Sequence, residues 1–328
     1  MAPAPLFEIR GLTIEVASRQ GETPLIEDVN LILRPGESIG VVGETGAGKS
    51  LSILASVGLL SVGVRPTGGT VSFSGASLPV THPERLRERL GHGIALLFQN
   101  ARGALNPFMR VRSQIDRVLR LRLAGRDTRK ARIPNLMGSV GLSFLELGPK
   151  YAHQISGGQA QRVAMACALA ADPRLLIADE PTTALDVTTQ RDVIQLLQRL
   201  CRERGMGLIL ITHNLALVSQ SCDSVLLMHA GHVVESGRAG EVFDQPLHPY
   251  TKGLLSAIPD VDAPHELVPL EGSVWRGAGL GGRCRFSHRC PDRWERCDTS
   301  VPPVYEVDGR RVRCFLYDDG VGKDKVIR

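Results

Sequence analysis

The stretch Gly43-Glu44-Thr45-Gly46-Ala47-Gly48-Lys49-Ser50 decides the fold of this chain. It matches the pattern of a phosphate-binding loop, follows the apolar run Ser38–Val42 and precedes a helical pattern over residues 51–60. Its glycines allow successive backbone N–H groups to converge on phosphate oxygens at a helix N-terminus. We expect Lys49 to neutralise the outer phosphates of ATP and the Ser50 hydroxyl to bind Mg²⁺. The stretch therefore predicts a site for ATP and magnesium.

A second apolar run ends in two adjacent carboxylates. Residues 175–178 read Leu-Leu-Ile-Ala, and Asp179 and Glu180 follow directly. Open α/β sheets bind their ligands at the C-terminal ends of the strands, so both acids are expected at such an edge. We expect Asp179 to hold Mg²⁺ through water, and Glu180 to orient and deprotonate the attacking water. The two motifs together predict an ATP hydrolase.

The order of the predicted elements indicates an α/β fold. Residues 26–42 read as two strands around a turn at residues 35–37. Residues 175–178 and 208–212 read as short buried strands, and the helical pattern between them fits a strand-helix-strand unit in a largely parallel sheet. The charged and weakly periodic region from about residue 101 to 151 predicts a mostly helical insertion.

Composition restricts the class of protein. The chain has 328 residues, with 43% hydrophobic and 22% charged residues, which excludes overall disorder and allows one large domain with an appendage. A net charge of +5 is too small to indicate a dedicated nucleic-acid binder. The first ten residues lack the features of a signal peptide, and no run is apolar enough to span a bilayer. We therefore expect a cytosolic location.

The stretch Ile155-Ser156-Gly157-Gly158-Gln159 resembles the signature of ABC ATPases. That resemblance implies that Ser156, Gly157, Gly158 and Gln159 cap the γ-phosphate bound by the opposite subunit of a dimer. Three further positions resemble the rest of the family set. By resemblance, Gln99 joins Mg²⁺ and the attacking water to a permease-facing helical region, Asp186 acts across the dimer interface, and His213 contacts the γ-phosphate.

The chain departs from the family pattern at three positions. Val16 lies near the place where many relatives have an aromatic residue that stacks on adenine, so weaker base stacking is expected. Asn100 and Asn214 stand where relatives often have Asp. Each change removes a charge beside the site but none of the expected ligands, so activity is expected to survive.

Further motifs resemble the peptide and nickel importer branch of the family. They are Tyr151-Ala152-His153-Gln154, Leu105-Asn106-Pro107, the stretch from Asp179 to Asp186 and His248-Pro249-Tyr250-Thr251. Ala160 favours the first of the two ATPase subunits of dipeptide and oligopeptide importers. The resemblance implies a peripheral subunit on the cytoplasmic face of the membrane that works with two permease subunits, a sister ATPase subunit and, indirectly, an external substrate-binding protein. The alternatives are nickel or another small solute as cargo, or a soluble ABC ATPase outside transport.

Four cysteines lie in the last fifth of the chain, at Cys284, Cys290, Cys297 and Cys314. In a reducing cytosol such a cluster favours a metal over disulfides. Four thiolates could hold a [4Fe-4S] cluster or a structural zinc, and the spacing lacks the paired C-x-x-C of zinc ribbons. Neighbouring arginines would compensate the charge of the thiolates, and relatives with this tail resemble iron–sulfur subunits. Free or paired thiols are the third alternative.

These expectations together define the fold. It is an α/β P-loop NTPase of the ABC nucleotide-binding type over residues 1–237, with an antiparallel β portion and a helical subdomain at about 100–160. A linker is expected over residues 238–280, because the composition shifts to Pro, His and Gly. A small C-terminal cysteine module is expected over residues 281–328.

Overall fold

A computed structural model describes residues 4–18, 21–183, 186–257, 270, 272 and 281–318. Its strands are β1 (Phe7–Ser18), β2 (Gly21–Leu33), β3 (Ser38–Val42), β4 (Val64–Phe73), β5 (Ala76–Pro79), β6 (Ile94–Leu97), β7 (Leu175–Asp179), β8 (Gly207–Thr212), β9 (Ser224–His229), β10 (His232–Arg238), β11 (Tyr305–Val307) and β12 (Arg310–Val312). Its α-helices are α1 (Lys49–Ser56), α2 (Pro83–Arg87), α3 (Ala101–Ala104), α4 (Val111–Leu119), α5 (Arg126–Ser139), α6 (Phe144–Leu147), α7 (Gly157–Ala170), α8 (Val187–Arg204), α9 (Leu215–Ser221), α10 (Ala239–Asp244), α11 (Pro249–Ser256) and α12 (Glu295–Thr299).

The chain divides into two compact units. The first unit contains the described residues of 1–6, 33–38 and 84–211, and the second those of 7–32, 39–83 and 212–318. In the first unit β6, β7 and β8 pair in parallel. All five residues of β7 are buried, as expected for a parallel strand that is covered on both faces. Helix α7 packs against α3, α4 and α5, which lie in the region expected to be mostly helical.

The second unit contains the antiparallel β portion. Its strands β2, β1, β4 and β5 form one sheet in that order. The buried residues of β1 change from Phe7 and Ile9 to Leu12 and Ile14, because a bulge with Gly11 at φ 60° shifts the alternation by one residue. Strand β3 pairs in parallel with β9, β9 pairs antiparallel with β10, and β12 adds to the other side of β10.

Most predicted boundaries agree with the structure to within one residue. Strand β3 matches exactly, whereas β2 begins at Gly21, five residues before the predicted start. Helix α8 ends at Arg204, directly before Gly205 in the left-handed conformation that ends many helices. The helix after the phosphate loop differs, because α1 ends at Ser56 rather than at residue 60. Gly58 adopts φ 77° there, a left-handed conformation in which the helix does not continue.

The segment expected as a linker, 238–280, contains two helices. Helix α10 buries Val242, and α11 begins with Pro249 at its first position behind the capping ring of His248. Tyr250 of α11 is fully buried. Composition was misleading here because a Pro at the first helical turn starts a helix rather than breaking one. Of the rest of the expected linker, residues 258–269, 271 and 273–280 lie outside the described part of the chain, as do residues 319–328 of the expected cysteine module.

Candidate functional site

Strand β3 leads directly into the glycine-rich loop of the second unit. The loop starts at Gly43, whose φ is 150° and where a Cβ would lie 2.2 Å from the carbonyl oxygen of Met228, so only glycine fits. Helix α1 begins at Lys49. The ammonium of Lys49 donates to the carbonyl oxygens of Gly43 at 2.7 Å and Glu44 at 3.0 Å, and only 5% of the residue is exposed. The cation is therefore held within the loop that was predicted to bind phosphates.

In the first unit, Glu180 follows the buried end of β7. Its backbone has φ 44°, a left-handed conformation that costs a non-glycine residue about 1–3 kcal/mol and often occurs at functional sites. The Glu180 N–H donates to the carbonyl oxygen of Ile211 at 2.9 Å. One carboxylate oxygen, Oε2, accepts hydrogen bonds from Gln99 Nε2 at 3.1 Å and from Thr183 Oγ1 at 2.9 Å. The side chains of Gln99 and Thr183 thus fix the Glu180 carboxylate, which was predicted to activate water.

Thr183 was not predicted as part of this site. It lies three residues after Glu180, close enough for its hydroxyl to turn back to the carboxylate. A hydroxyl residue at this spacing after an acid that ends a strand is the signal that could have identified it. Gln99, in contrast, was predicted, and it reaches Glu180 because β6 and β7 are parallel neighbours whose C-terminal ends meet at one edge.

The stretch 156–159 forms the N-terminus of α7. The Ser156 hydroxyl accepts from the Gln159 N–H at 3.2 Å, and the Gln159 side chain accepts from the Ser156 N–H at 3.0 Å. This reciprocal pair is a capping box, which fixes the first turn of a 14-residue helix. The positive end of the helix dipole lies at this turn, and the chemistry suits an anion.

Asp186 and His213 each lie at the start of a helix. Asp186 accepts from the Thr189 N–H at 3.0 Å and from its hydroxyl at 2.7 Å, so it caps α8 in the first unit. His213 belongs to the second unit and lies between the end of β8 and the start of α9. The predicted residues are thus divided between the units, with Gln99, Ser156, Asp179, Glu180 and Asp186 in the first and the loop 43–50 and His213 in the second.

Comparison with known proteins shows similarity to one family. Residues 26–183 match the family described as ABC transporter, and residues 234–297 match the oligopeptide/dipeptide transporter C-terminal region. The chain is 40% identical over 322 residues to the oligopeptide transport ATP-binding protein OppD of Salmonella typhimurium, covering 96% of this chain and 95% of that protein. The chain belongs to the ABC transporter family.

Two further similarities extend the comparison. The dipeptide transport ATP-binding protein DppD of Escherichia coli is 37% identical over 325 residues, covering 97% of this chain and 98% of that ABC protein. A solved dimer of an ATP-binding cassette in a post-hydrolysis state, bound to ADP and Pi, matches with a TM-score of 0.62 at 26% identity. The match covers 71% of this chain and 98% of the chain in that solved structure. The ABC fold is thereby shown.

Two of the departures from the ABC pattern have a structural explanation. Asn100 caps α3 by accepting from the Gly103 N–H at 2.8 Å, and Asn214 caps α9 by accepting from the Leu217 N–H at 3.1 Å. Asparagine and aspartate cap helices about equally well, because both offer a side-chain oxygen at the same position. The loss of charge therefore leaves the local backbone unchanged. Val16 lies near the end of β1 opposite Val64.

The four C-terminal cysteines lie close together as free thiols. The Cys284 N–H donates to the carbonyl oxygen of Cys297 at 2.9 Å. Burial raises the pKa of Cys314 to about 12, and the nearby thiols of Cys284 and Cys297 contribute to this increase. Burial likewise raises the pKa of Cys290, with contributions from Cys314 and Cys284. The four thiols are thus near enough to influence one another electrostatically, while the cysteine module itself stays a prediction.

This group does not present a formed metal site. Among the described residues, no three His, Cys, Asp or Glu side chains are arranged to hold a metal ion. The arginines around the cysteines were expected to compensate thiolate charge, but four of them pair with carboxylates. The pairs are Arg285 with Glu27, Arg289 with Glu44, Arg293 with Asp298 and Arg296 with Asp318. Cysteine thiols are suitable ligands for a zinc ion or an iron–sulfur cluster. The four thiols would, however, have to move before they could bind such a group together.

The described helices are all too short or too polar to cross a membrane.

Proposed function

We propose that this chain is the ATP-binding and ATP-hydrolysing subunit of an ABC importer that takes up dipeptides or oligopeptides. The observation that carries the proposal is the Glu180 carboxylate, fixed by Gln99 and Thr183 in a chain that aligns over 96% of its length with an oligopeptide transport ATP-binding protein. A positioned carboxylate is what hydrolysis needs, because phosphoryl transfer depends on placing the water and compensating charge.

Each motif has a role in this proposal. The backbone of residues 43–50 and the Lys49 ammonium bind the ATP phosphates, while Ser50, Asp179 and Gln99 bind Mg²⁺ directly or through water. Glu180 takes the proton of the attacking water. His213 contacts the γ-phosphate.

The proposal includes a dimer of ATPase subunits. Stretch 156–159 of one subunit caps the ATP bound by the other, Asp186 acts across the interface, and a sister ATPase subunit is the proposed partner. Support comes from the α7 capping box and from the solved cassette described as a dimer bound to ADP and Pi. The helical region transmits closure of the dimer to two permease subunits, which places the chain at the cytoplasmic face of the membrane.

We further propose that the C-terminal cysteine module holds a thiolate-bound group, with a [4Fe-4S] cluster first and zinc second. Cys284, Cys290, Cys297 and Cys314 would be its ligands, and its role would be structural because ATP hydrolysis transfers no electron. The test is the iron, sulfide and zinc content of the full-length protein purified without oxygen. Cys290→Ser should lose the metal, and Cys201→Ser, a buried thiol elsewhere, should keep it. A metal-free wild-type protein would contradict this part of the proposal.

Uptake measurements test the transport function. Cells that lack this gene are complemented with wild type or with Lys49→Ala, and uptake of labelled dipeptides, oligopeptides and nickel is measured. Restoration of peptide uptake by the wild type alone is expected. Restoration of nickel uptake alone would mean that the ATPase subunit drives the import of nickel rather than of peptides. Unchanged uptake of peptides and nickel would contradict the proposed cargo and favour another small solute or, if no membrane partner co-purifies, a soluble ABC ATPase.

A further inference from the structure

The second residue of the glycine-rich loop, Glu44, is bound by an arginine from the end of the chain. Arg289 Nη1 lies 2.7 Å from Glu44 Oε2, and Arg289 Nη2 lies 3.0 Å from Glu44 Oε1. This is a bidentate pair, the strongest geometry that an arginine and a carboxylate can form. The Arg289 side chain is 1% exposed, and the two residues are 245 positions apart in the sequence.

Further side chains enclose the Glu44 pair. The Glu44 N–H donates to the Tyr250 hydroxyl at 3.0 Å, and His229 Nδ1 lies 3.7 Å from the carboxylate. Phe286, three residues before Arg289, packs its ring 5.2 Å from that of His229 and 5.4 Å from that of Tyr250. Because these rings are buried, the carboxylate and the guanidinium are held in one orientation.

A second arginine of the same segment fixes the neighbouring turn. Arg285 donates to Glu27 at 2.7 Å and to the carbonyl oxygen of Ala230 at 2.6 Å. The next residue, Gly231, donates its N–H to the carbonyl oxygen of Ala47, inside the glycine-rich loop, at 2.8 Å. The segment 285–289 therefore supports the loop at two points, through Glu44 and through the turn that contacts Ala47.

An acidic residue in this loop has an electrostatic consequence. The loop binds a polyanion, and an unpaired carboxylate within it would repel the phosphates across a partly buried region where charges are poorly screened. Arg289 cancels that charge in the residue whose backbone carbonyl is one of the two that accept from Lys49.

We propose that Arg289 is a positioning residue for ATP binding, which acts on the phosphate loop by neutralising and orienting Glu44. This inference rests on the proposed role of residues 43–50 in binding ATP. It predicts that Arg289 affects the affinity for nucleotide more than the rate of the chemical step, because Arg289 contacts the loop and has no place in water activation at Glu180.

The experiment compares full-length variants. Arg289→Ala leaves the Glu44 carboxylate without its cation, and the KM for ATP should rise about tenfold, because the uncompensated carboxylate repels the phosphates in a partly buried region. The kcat at saturating ATP should change much less. Combining Arg289→Ala with Glu44→Gln removes the unpaired charge and should recover most of the affinity. Arg289→Lys, which keeps the charge and loses the bidentate geometry, should lie between wild type and Arg289→Ala.

A matched control comes from the same segment. Arg293 pairs with Asp298, away from the loop, so Arg293→Ala should retain the wild-type KM for ATP. Thermal unfolding of every variant is measured alongside, and affinity is also measured by titration with a fluorescent ATP analogue. Arg289→Lys keeps the test informative if Arg289→Ala does not fold.

The outcomes separate this inference from the proposed function. A wild-type KM in both Arg289 variants would overturn it. So would a folded double variant in which Glu44→Gln recovers no affinity, because the segment would then act on stability alone. A wild-type protein that binds the analogue but hydrolyses no ATP would contradict the proposed function, while the analogue affinities would still decide the role of Arg289.

Discussion

Gln99 donates a hydrogen bond of 3.1 Å to Glu180, and this joins the ends of the neighbouring parallel strands β6 and β7. Gln99 is exposed, and Glu180 is partly exposed. The carboxylate is therefore fixed and still accessible to solvent water. Fixing matters because a general base must lie within hydrogen-bond distance of the proton that it accepts.

Loss of either partner of Glu180 should slow hydrolysis. Thr183→Val removes the hydroxyl with little change in volume, and Gln99→Ala removes the amide. A hydrogen bond to a charged group is worth about 1.5–3 kcal/mol, so each change should lower kcat by about tenfold or more. The check is steady-state ATP hydrolysis at saturating ATP and Mg²⁺. Two single variants with wild-type kcat would show that the position of the carboxylate does not limit the rate.

Replacing the base itself should have a larger effect. Glu180→Gln keeps the side-chain size and an oxygen that can accept from Gln99 and Thr183, but it cannot take a proton. A general base contributes about 10²–10⁴-fold to rate, so hydrolysis should fall by at least about 100-fold. Binding of a fluorescent ATP analogue should persist, because the phosphate contacts are provided by other residues. A variant that hydrolyses ATP at the normal rate would contradict the assignment of Glu180.

Stability should decrease on mild acidification. Burial, with a smaller effect of Arg289, lowers the pKa of His229 to about 3, and burial lowers the pKa of His248 to about 3. In the unfolded chain both would titrate near pH 6.5, so below that pH the unfolded state binds protons that the folded state excludes. Each histidine should therefore lower the free energy of unfolding by about 1.4 kcal/mol per pH unit between about pH 6 and 4.

Urea denaturation at pH 7, 6 and 5 measures this slope. His229→Leu removes one titrating ring at similar volume. Because burial also lowers the pKa of His232 to about 4, two buried histidines remain, and the slope should be about two thirds as steep. A wild-type free energy of unfolding that is constant from pH 7 to 5 would contradict the burial of neutral histidines.

A buried carboxylate should be important for the stability of the C-terminal helices. Glu235 is fully buried and accepts the N–H groups of Leu247 and His248, both at 2.9 Å, with Arg310 4.0 Å away. Glu235→Ala should lower the free energy of unfolding by about 3–5 kcal/mol, because it leaves the buried Arg310 without its counter-charge and two N–H groups without a partner.

The control for Glu235 is an exposed pair in the same region. Glu306→Ala removes the partner of Arg311, an ion pair at 3.5 Å with both side chains more than half exposed. Exposed pairs contribute about 0–1 kcal/mol, so this variant should denature almost like wild type. Equal losses in the two variants would show that burial of Glu235 does not matter.

The parts of the molecule that the sequence predicts well are specified locally. The loop 43–50, strand β7 with Glu180 and helix α8 each combine an apolar pattern with terminal residues that start or stop the element, so their bounds follow from neighbouring residues. The caps at Asn100 and Asn214 also belong to this class. They could have been predicted from an asparagine that precedes a helix.

The parts that were missed depend on contacts between distant residues. The pairing of Glu44 with Arg289 depends on how the end of the chain packs, which no local pattern encodes. The arginines near the cysteines were interpreted from their neighbours in sequence, whereas Arg285 and Arg289 bind carboxylates more than 240 residues away. Helix α11 was missed because Pro and His were read as features of a linker.

The distance in sequence between Glu44 and Arg289 has a consequence for biosynthesis. The ribosome adds the arginine 245 residues after the glutamate, which at about 5–20 residues per second takes roughly 12 to 50 s. Throughout that interval the emerging polypeptide contains its complete nucleotide-recognition motif without the cation that neutralises it. By the proposed role of Arg289, a nascent or truncated product that ends before residue 289 would bind nucleotide more weakly than the finished subunit.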